Sequence, residues 1–282
     1  MPYHPFKKIL VAVDGSFHAS IAARYSFSLA ETFNSKLFVA TVITEGMGEL
    51  EEKVATNSVV KILDEARDAG IDIEGVLLKG DVVSAIDRFV RDNRIDLVIV
   101  STRRPHRDRR LFASSVTSAL MSKLPCSVAG LKITHPGRSI RPGKVLIPVI
   151  GDGYKDQERA DITEALSHKF DSRITVFHVI ELTALRIKRL DTSEKGSLIK
   201  SAEKRLVSFI SELRRREISM AEKIVTGRNA REEIISEASH HKYDLIIVGA
   251  TTRNILRRVV SGNPVEGILR DTPCDVMLVH FK

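Results

Sequence analysis

Nothing in this chain approaches the roughly 20 consecutive apolar residues that a helix needs to cross a bilayer, which excludes a helical membrane protein. The opening MPYHPFKKILVAV lacks a charged segment followed by a cleavable apolar one, so no secretory leader is expected. Cysteine is scarce as well. Cys126 and Cys274 have neither metal-ligand spacing nor the company a disulfide framework requires, and a cytoplasmic location is the expectation. Tryptophan is absent, which excludes nothing. Pro/Gly-rich stretches are rare, and the single connector of that kind, HPGRSIRPG at 135–143, marks the expected boundary between domains 1–134 and 144–282. What remains, 43% hydrophobic and 28% charged over 282 residues, excludes a disordered chain and is enough for two ordinary globular domains.

The net charge of +8 raises a polyanionic partner, but the charge is local. Residues 103–110 hold five arginines against one aspartate, and residues 186–216 hold ten basic against four acidic side chains. With those two segments set aside, each half of the chain carries a net −1. A local anion site or a solvated helix fits this distribution better than a broad nucleic-acid face. In the second segment the run Arg214 to Arg216 closes a predicted helix, where the macrodipole favours cations.

The chain is written twice. KKILVAVDGS at 7–16 answers GKVLIPVIGD at 143–152, and NSKLFVATVI at 34–43 answers DSRITVFHVI at 171–180. RIDLVIVST at 94–102 answers KYDLIIVGA at 242–250, and LPCSVAGLK at 124–132 answers TPCDVMLVH at 272–280. Within each copy, short β-branched runs alternate with longer amphipathic stretches, the pattern of an open parallel sheet with crossover helices. In copy one the strands fall at 9–13, 37–43, 73–78, 97–100 and 127–133. One helix face carries Phe17, Ile21, Tyr25 and Leu29, and another carries Val116, Leu120 and Leu124. In copy two Leu198, Ala202, Leu206, Phe209 and Leu213 share a face. The second copy has about a dozen extra residues, mostly near its second helix.

Open sheets of this class bind ligands beyond the C-terminal strand ends. There the first strand leads to Asp14-Gly15-Ser16 in copy one and Ile150-Gly151-Asp152 in copy two. The fourth strand leads to STRRPHRDRRLFASS and GATTRNILRRVVSGN. In the latter, Asn263 suits an N-cap, Pro264 the first helical position and Glu266 the third, so the loop ends on a helix start with unpaired donors.

With this order of elements the chain resembles the universal stress protein family, in a tandem form, over nearly its whole length. The resemblance implies two five-stranded, Rossmann-like sheets of the adenine nucleotide alpha hydrolase type. The family's nucleotide-binding members carry G-x2-G-x9-G-[S/T] after the fourth strand and an aspartate ending the first. Copy one reads Ser101-x2-Arg104-x9-Ser114-Ser115, with Asp14 kept and all three glycines replaced, which implies a filled or reshaped pocket. Copy two reads Gly249-x2-Thr252-x9-Gly262-Asn263, with Ile150 in the aspartate position and Pro148 two residues earlier.

The resemblance therefore implies an adenine nucleotide, ATP or AMP, with or without Mg2+, held mainly in copy two. The residues implied are Pro148, Val149, Ile150, Gly151, His178, Gly249, Thr252, Gly262 and Asn263, with Asp14 the survivor in copy one. It also implies that the final strands, 127–133 and 276–281, pair the two copies as an internal pseudo-dimer, with homodimerisation a further step. Slow ATP hydrolysis occurs in some members, but no nucleophile, base and orienting group recur here at a common spacing, so catalysis is not expected. The alternative is a scaffold that binds no nucleotide and grips an acidic partner through the 103–110 arginines.

Overall fold

The computed structural model describes residues 5–102, 116–134, 141–150, 155–250 and 264–282. The chain divides into two compact units, residues 1–140 with 250–260 and 277–282, and residues 141–249 with 261–276. Each is α/β.

In the first unit the strands are β1 (Lys8–Ala12), β2 (Lys36–Ile43), β3 (Ile73–Lys79), β4 (Leu97–Thr102) and β5 (Ser127–Lys132). The helices are α1 (Phe17–Phe33), α2 (Glu49–Asp68), α3 (Val82–Asn93) and α4 (Val116–Lys123). All strand pairs are parallel, in the order β3-β2-β1-β4-β5. Ile9 lies between Leu37 and Leu97, and Val11 between Val39 and Ile99. Central strands covered by helices on both faces must be apolar on both, and Leu97 to Val100 and Leu37 to Ala40 are buried without a gap. The edge strand β3 is covered less, and there Leu77 is exposed.

Helix ends follow local chemistry. Ser16 caps α1 by accepting from the Ala19 amide at 3.2 Å, and Asn34 ends it in the left-handed region at φ 50°. Asp81 and Asp191 cap α3 and the long helix of the second unit by accepting from Ser84 and Glu194 amides. On α1, Ile21, Tyr25 and Leu29 are buried as their spacing predicts, but Phe17 is 55% exposed; on α4, Leu120 is buried and Val116 is 46% exposed. Both exceptions are the first residue of their helix.

The second unit contains β6 (Lys144–Pro148), α5 (Asp156–Phe170), β7 (Arg173–Glu181), α6 (Ala184–Arg189), α7 (Thr192–Arg215), β8 (Met220–Gly227), α8 (Ala230–His240), β9 (Leu245–Gly249) and α9 (Pro264–Asp271). The final strand is β10 (Asp275–His280). β6 pairs in parallel with β7 and β9, and β7 with β8.

The repetition reaches individual bonds. Asp96 Oδ2 accepts from the Lys8 amide at 2.9 Å, and Asp244 Oδ2 from the Lys144 amide at 3.0 Å. Ser35 donates its hydroxyl to the Phe6 carbonyl, and Ser172 to that of Pro142. The offset between the copies grows from 136 at Lys8 and Lys144 to 148 at Asp96 and Asp244, mostly at one place. Lys36 and Arg173 begin the second strands 137 residues apart. The buried faces of α2 (Ala55, Val59, Ile62, Ala66) and α7 (Ala202, Leu206, Phe209, Leu213) match at 147. Ten extra residues therefore lie between the start of β7 and the buried face of α7, in a stretch that carries α6, whose side chains are all unburied.

Arg216 departs from the helix-dipole reading of the basic run. It follows α7 in the turn, bonding Glu212 Oε2 of α7 at 2.5 Å and reaching across to α5, where it meets Asp161 Oδ1 at 2.5 Å and Glu164 at 3.2 Å. Burial works to lower this guanidinium, but the bonds to Glu212 and Asp161 raise it. Burial likewise pushes the Asp161 carboxyl up, against the hydrogen bond from Arg216.

Candidate functional site

A cavity of about 420 Å3 opens beyond the C-terminal ends of β6 and β7. Its size lies in the range of small-molecule sites, and its place is where open parallel sheets hold ligands. Pro148, Val149 and Ile150 form one wall as β6 gives out, and the second half of β7, from Phe177 to Leu182, forms the next. α7 contributes Leu198, Ser201, Ala202 and Arg205; α8 contributes Ala230 and Ile234; the extra helix α6 contributes Arg186.

The polar groups have distinct duties. His178 is buried and donates from Nδ1 to the Val149 carbonyl at 2.9 Å, tying the end of β6 to β7 and leaving Nε2 as an acceptor in the neutral ring. Glu181 accepts from the Ala230 amide at 2.6 Å, so its charge sits at the start of α8, where the helix dipole favours it. Arg186 is held by Glu194 Oε1, at 2.7 Å from Nη2 and 3.0 Å from Nε. Arg205 is exposed, lines the cavity, and makes no hydrogen bond or ion pair among the described residues. Among the described residues no group of three His, Cys, Asp or Glu side chains is arranged to hold a metal ion, and Glu181 is the one carboxylate on the cavity wall.

Four of the expected residues, Pro148, Val149, Ile150 and His178, are brought together in this wall. Gly249 ends β9 and is not part of it; a Cβ there would lie 3.6 Å from Arg159 Nη2, an ordinary contact. Gly151, Thr252, Gly262 and Asn263 lie outside the described residues, as do the 103–110 arginines. Asp14, in the other unit, is exposed and accepts from the Ser16 amide at 3.0 Å, a local turn that leads into α1.

The corresponding corner of the first unit is differently built. Gly15 has φ +79°, and a Cβ on it would stand 2.9 Å from Val54 Cγ1 and 3.4 Å from the Ala55 backbone. By the register of the two helices, Val54 answers Ser201, 147 residues on. An apolar side chain thus packs on the turn in one unit where a hydroxyl lines an open cavity in the other. Neither cysteine adds chemistry. Both are buried, and burial pushes the Cys126 thiol up to about 12, far from thiolate formation at neutral pH. His240 and His241 end α8 on the surface, His240 bonded to the Ser236 carbonyl at 2.8 Å.

Fold and crevice together define a class: repeated open parallel α/β domains with a ligand-sized cavity beyond the strand ends of the second. The sequence profile of the universal stress protein family matches residues 5–132 and again 143–280, and the chain belongs to that family in a two-domain form. Universal stress protein MJ0531 of Methanocaldococcus jannaschii is 23% identical over 140 residues, covering 45% of this chain and 82% of the relative. A solved universal stress protein from Archaeoglobus fulgidus matches with a TM-score of 0.64 at 16% identity, over 96% of this chain and 97% of that one. PA1789 of Pseudomonas aeruginosa, described as functionally unknown, matches at 0.68 and 15% identity, over 98% of this chain and 93% of its own. Likeness at such identities carries the fold alone. Among the described residues, no helix is long and apolar enough to cross a membrane.

Proposed function

We propose that this chain is a stress-associated regulatory protein that binds an adenine nucleotide, ATP or AMP, in the cavity of its C-terminal domain. The supporting observation is the cavity itself: about 420 Å3 of space beyond β6 and β7, walled by Pro148, Val149, Ile150 and His178 together with apolar groups of α7 and α8. A planar base fits against the apolar groups of this wall, Ile150, Leu198, Ala202 and Ile234, and its charged and hydroxyl groups suit a ribose phosphate. The proposed function is binding: among the described residues no hydrogen bond joins Ser201 to His178 or Glu181 on the cavity wall.

The test is calorimetry of ATP and AMP against the whole chain and against Ser201→Phe. Ser201 is exposed on α7 and lines the cavity, so the larger ring fills the slot without entering the core. Nucleotide binding by the natural chain and its loss in Ser201→Phe, at an unchanged urea midpoint, is the expected result. No heat at millimolar nucleotide, or equal binding by both proteins, overturns the assignment.

A further inference from the structure

We infer that Arg205, on α7, fixes the phosphate of the ligand, so that the anion is read from the helix side of the cavity by a side chain the first unit does not possess. This rests on the nucleotide reading of the same site.

Three charged side chains line the cavity among the described residues, and two are already engaged. Glu181 is bonded to the start of α8 through the Ala230 amide, and Arg186 is bonded twice to Glu194. Arg205 alone of the three makes no hydrogen bond or ion pair among the described residues. A guanidinium presents a planar fork of donors that matches a phosphate, and it stays charged at any physiological pH. An anion at the cavity mouth therefore finds one positive group ready, and its carboxylate rival already satisfied.

The comparison between units points the same way. Arg205 answers Ser58 at the 147-residue offset of the two helices, and Ser58 turns its hydroxyl back to the Ala55 carbonyl at 2.7 Å. Ser201, one turn before Arg205, answers Val54, which packs at Gly15. Two changes on one helix face thus distinguish the units: a half-exposed valine beside the turn becomes a hydroxyl on the cavity wall, and a self-bonded serine becomes an arginine with no hydrogen bond or ion pair among the described residues. Arg205 is exposed, so packing gives no other account of it at this position.

The experiment titrates adenosine and AMP, separately, into the full chain and into Arg205→Gln and Arg205→Lys. The natural chain should prefer AMP to adenosine by about tenfold or more, the size of a charge-assisted hydrogen bond. That preference should collapse in Arg205→Gln with adenosine affinity unchanged, and return in part in Arg205→Lys. It should also weaken with added salt while adenosine binding does not. If both ligands bind the natural chain and Arg205→Gln leaves their ratio untouched, the role of Arg205 is overturned and the nucleotide reading stands. If the natural chain binds neither ligand, the nucleotide reading falls and this inference with it.

Discussion

At the scale of single residues, Gly15 decides the character of the first unit's strand-end turn. Its φ of +79° is a conformation L-residues rarely adopt, and α2 lies so close that a Cβ would meet Val54 Cγ1 at 2.9 Å. Gly70 has a similar φ, +74°, with nothing within 4 Å of where a Cβ would stand, so it isolates the backbone contribution. Gly15→Ala should therefore lower stability by about 1–2 kcal/mol from backbone strain, as Gly70→Ala should, and by a further increment for the displaced helix. Urea midpoints of the two variants check this. Equal losses would mean that α2 gives way freely and that the turn is not closed by Val54. Residue-level reading of the sequence was good where chemistry is local. Ile21, Tyr25 and Leu29, four apart on α1, are buried as their spacing implies. It was blind to Val54, because nothing near position 54 in the chain says that α2 will lie on Gly15.

Among elements, the junction of α5 and α7 concentrates buried charge. Arg216 is 12% exposed and bonds Asp161, Glu212 and Glu164. Removing one partner of a buried pair leaves the other charge uncompensated, so Arg216→Leu should cost about 3 kcal/mol or more at neutral pH. The pH dependence has a definite sign. Burial already holds the Asp161 carboxyl above its ordinary value. A group whose folded value is raised gives stability below its unfolded value and loses it as pH rises through the folded one. Without Arg216 that rise grows, so the variant's deficit should shrink as pH falls from neutral to about 4. A deficit that stays constant over this range, measured by urea unfolding, would show that the loss is one of packing and not of charge. The elements themselves were legible: apolar runs covered on both faces gave the strands, and the spacing of Ala202, Leu206, Phe209 and Leu213 gave α7. The destination of Arg216 was not, since a cation after a helix satisfies the dipole equally well whether it meets water or another helix. The extra helix α6 was visible only as a length difference between copies.

For the whole molecule, the repeat makes two strand-end corners but equips them unequally. In the second unit β6, β7, α7 and α8 leave a cavity with Ser201 and Arg205 on its wall. In the first, Val54 packs where Ser201 would be, Ser58 stands for Arg205, and no counterpart of α6 lies between β2 and α2. Duplication supplies two copies of the fold, and a functional site needs only one of them, so the other is free to change the side chains at its strand-end corner. The expected stoichiometry is accordingly one nucleotide per chain. Native mass spectrometry of the full chain at saturating AMP should show a single added nucleotide, and none in Ser201→Phe. Two bound nucleotides, one of them persisting in Ser201→Phe, would mean that α2 moves off the Gly15 turn to admit a ligand. The first unit would then be a second working site.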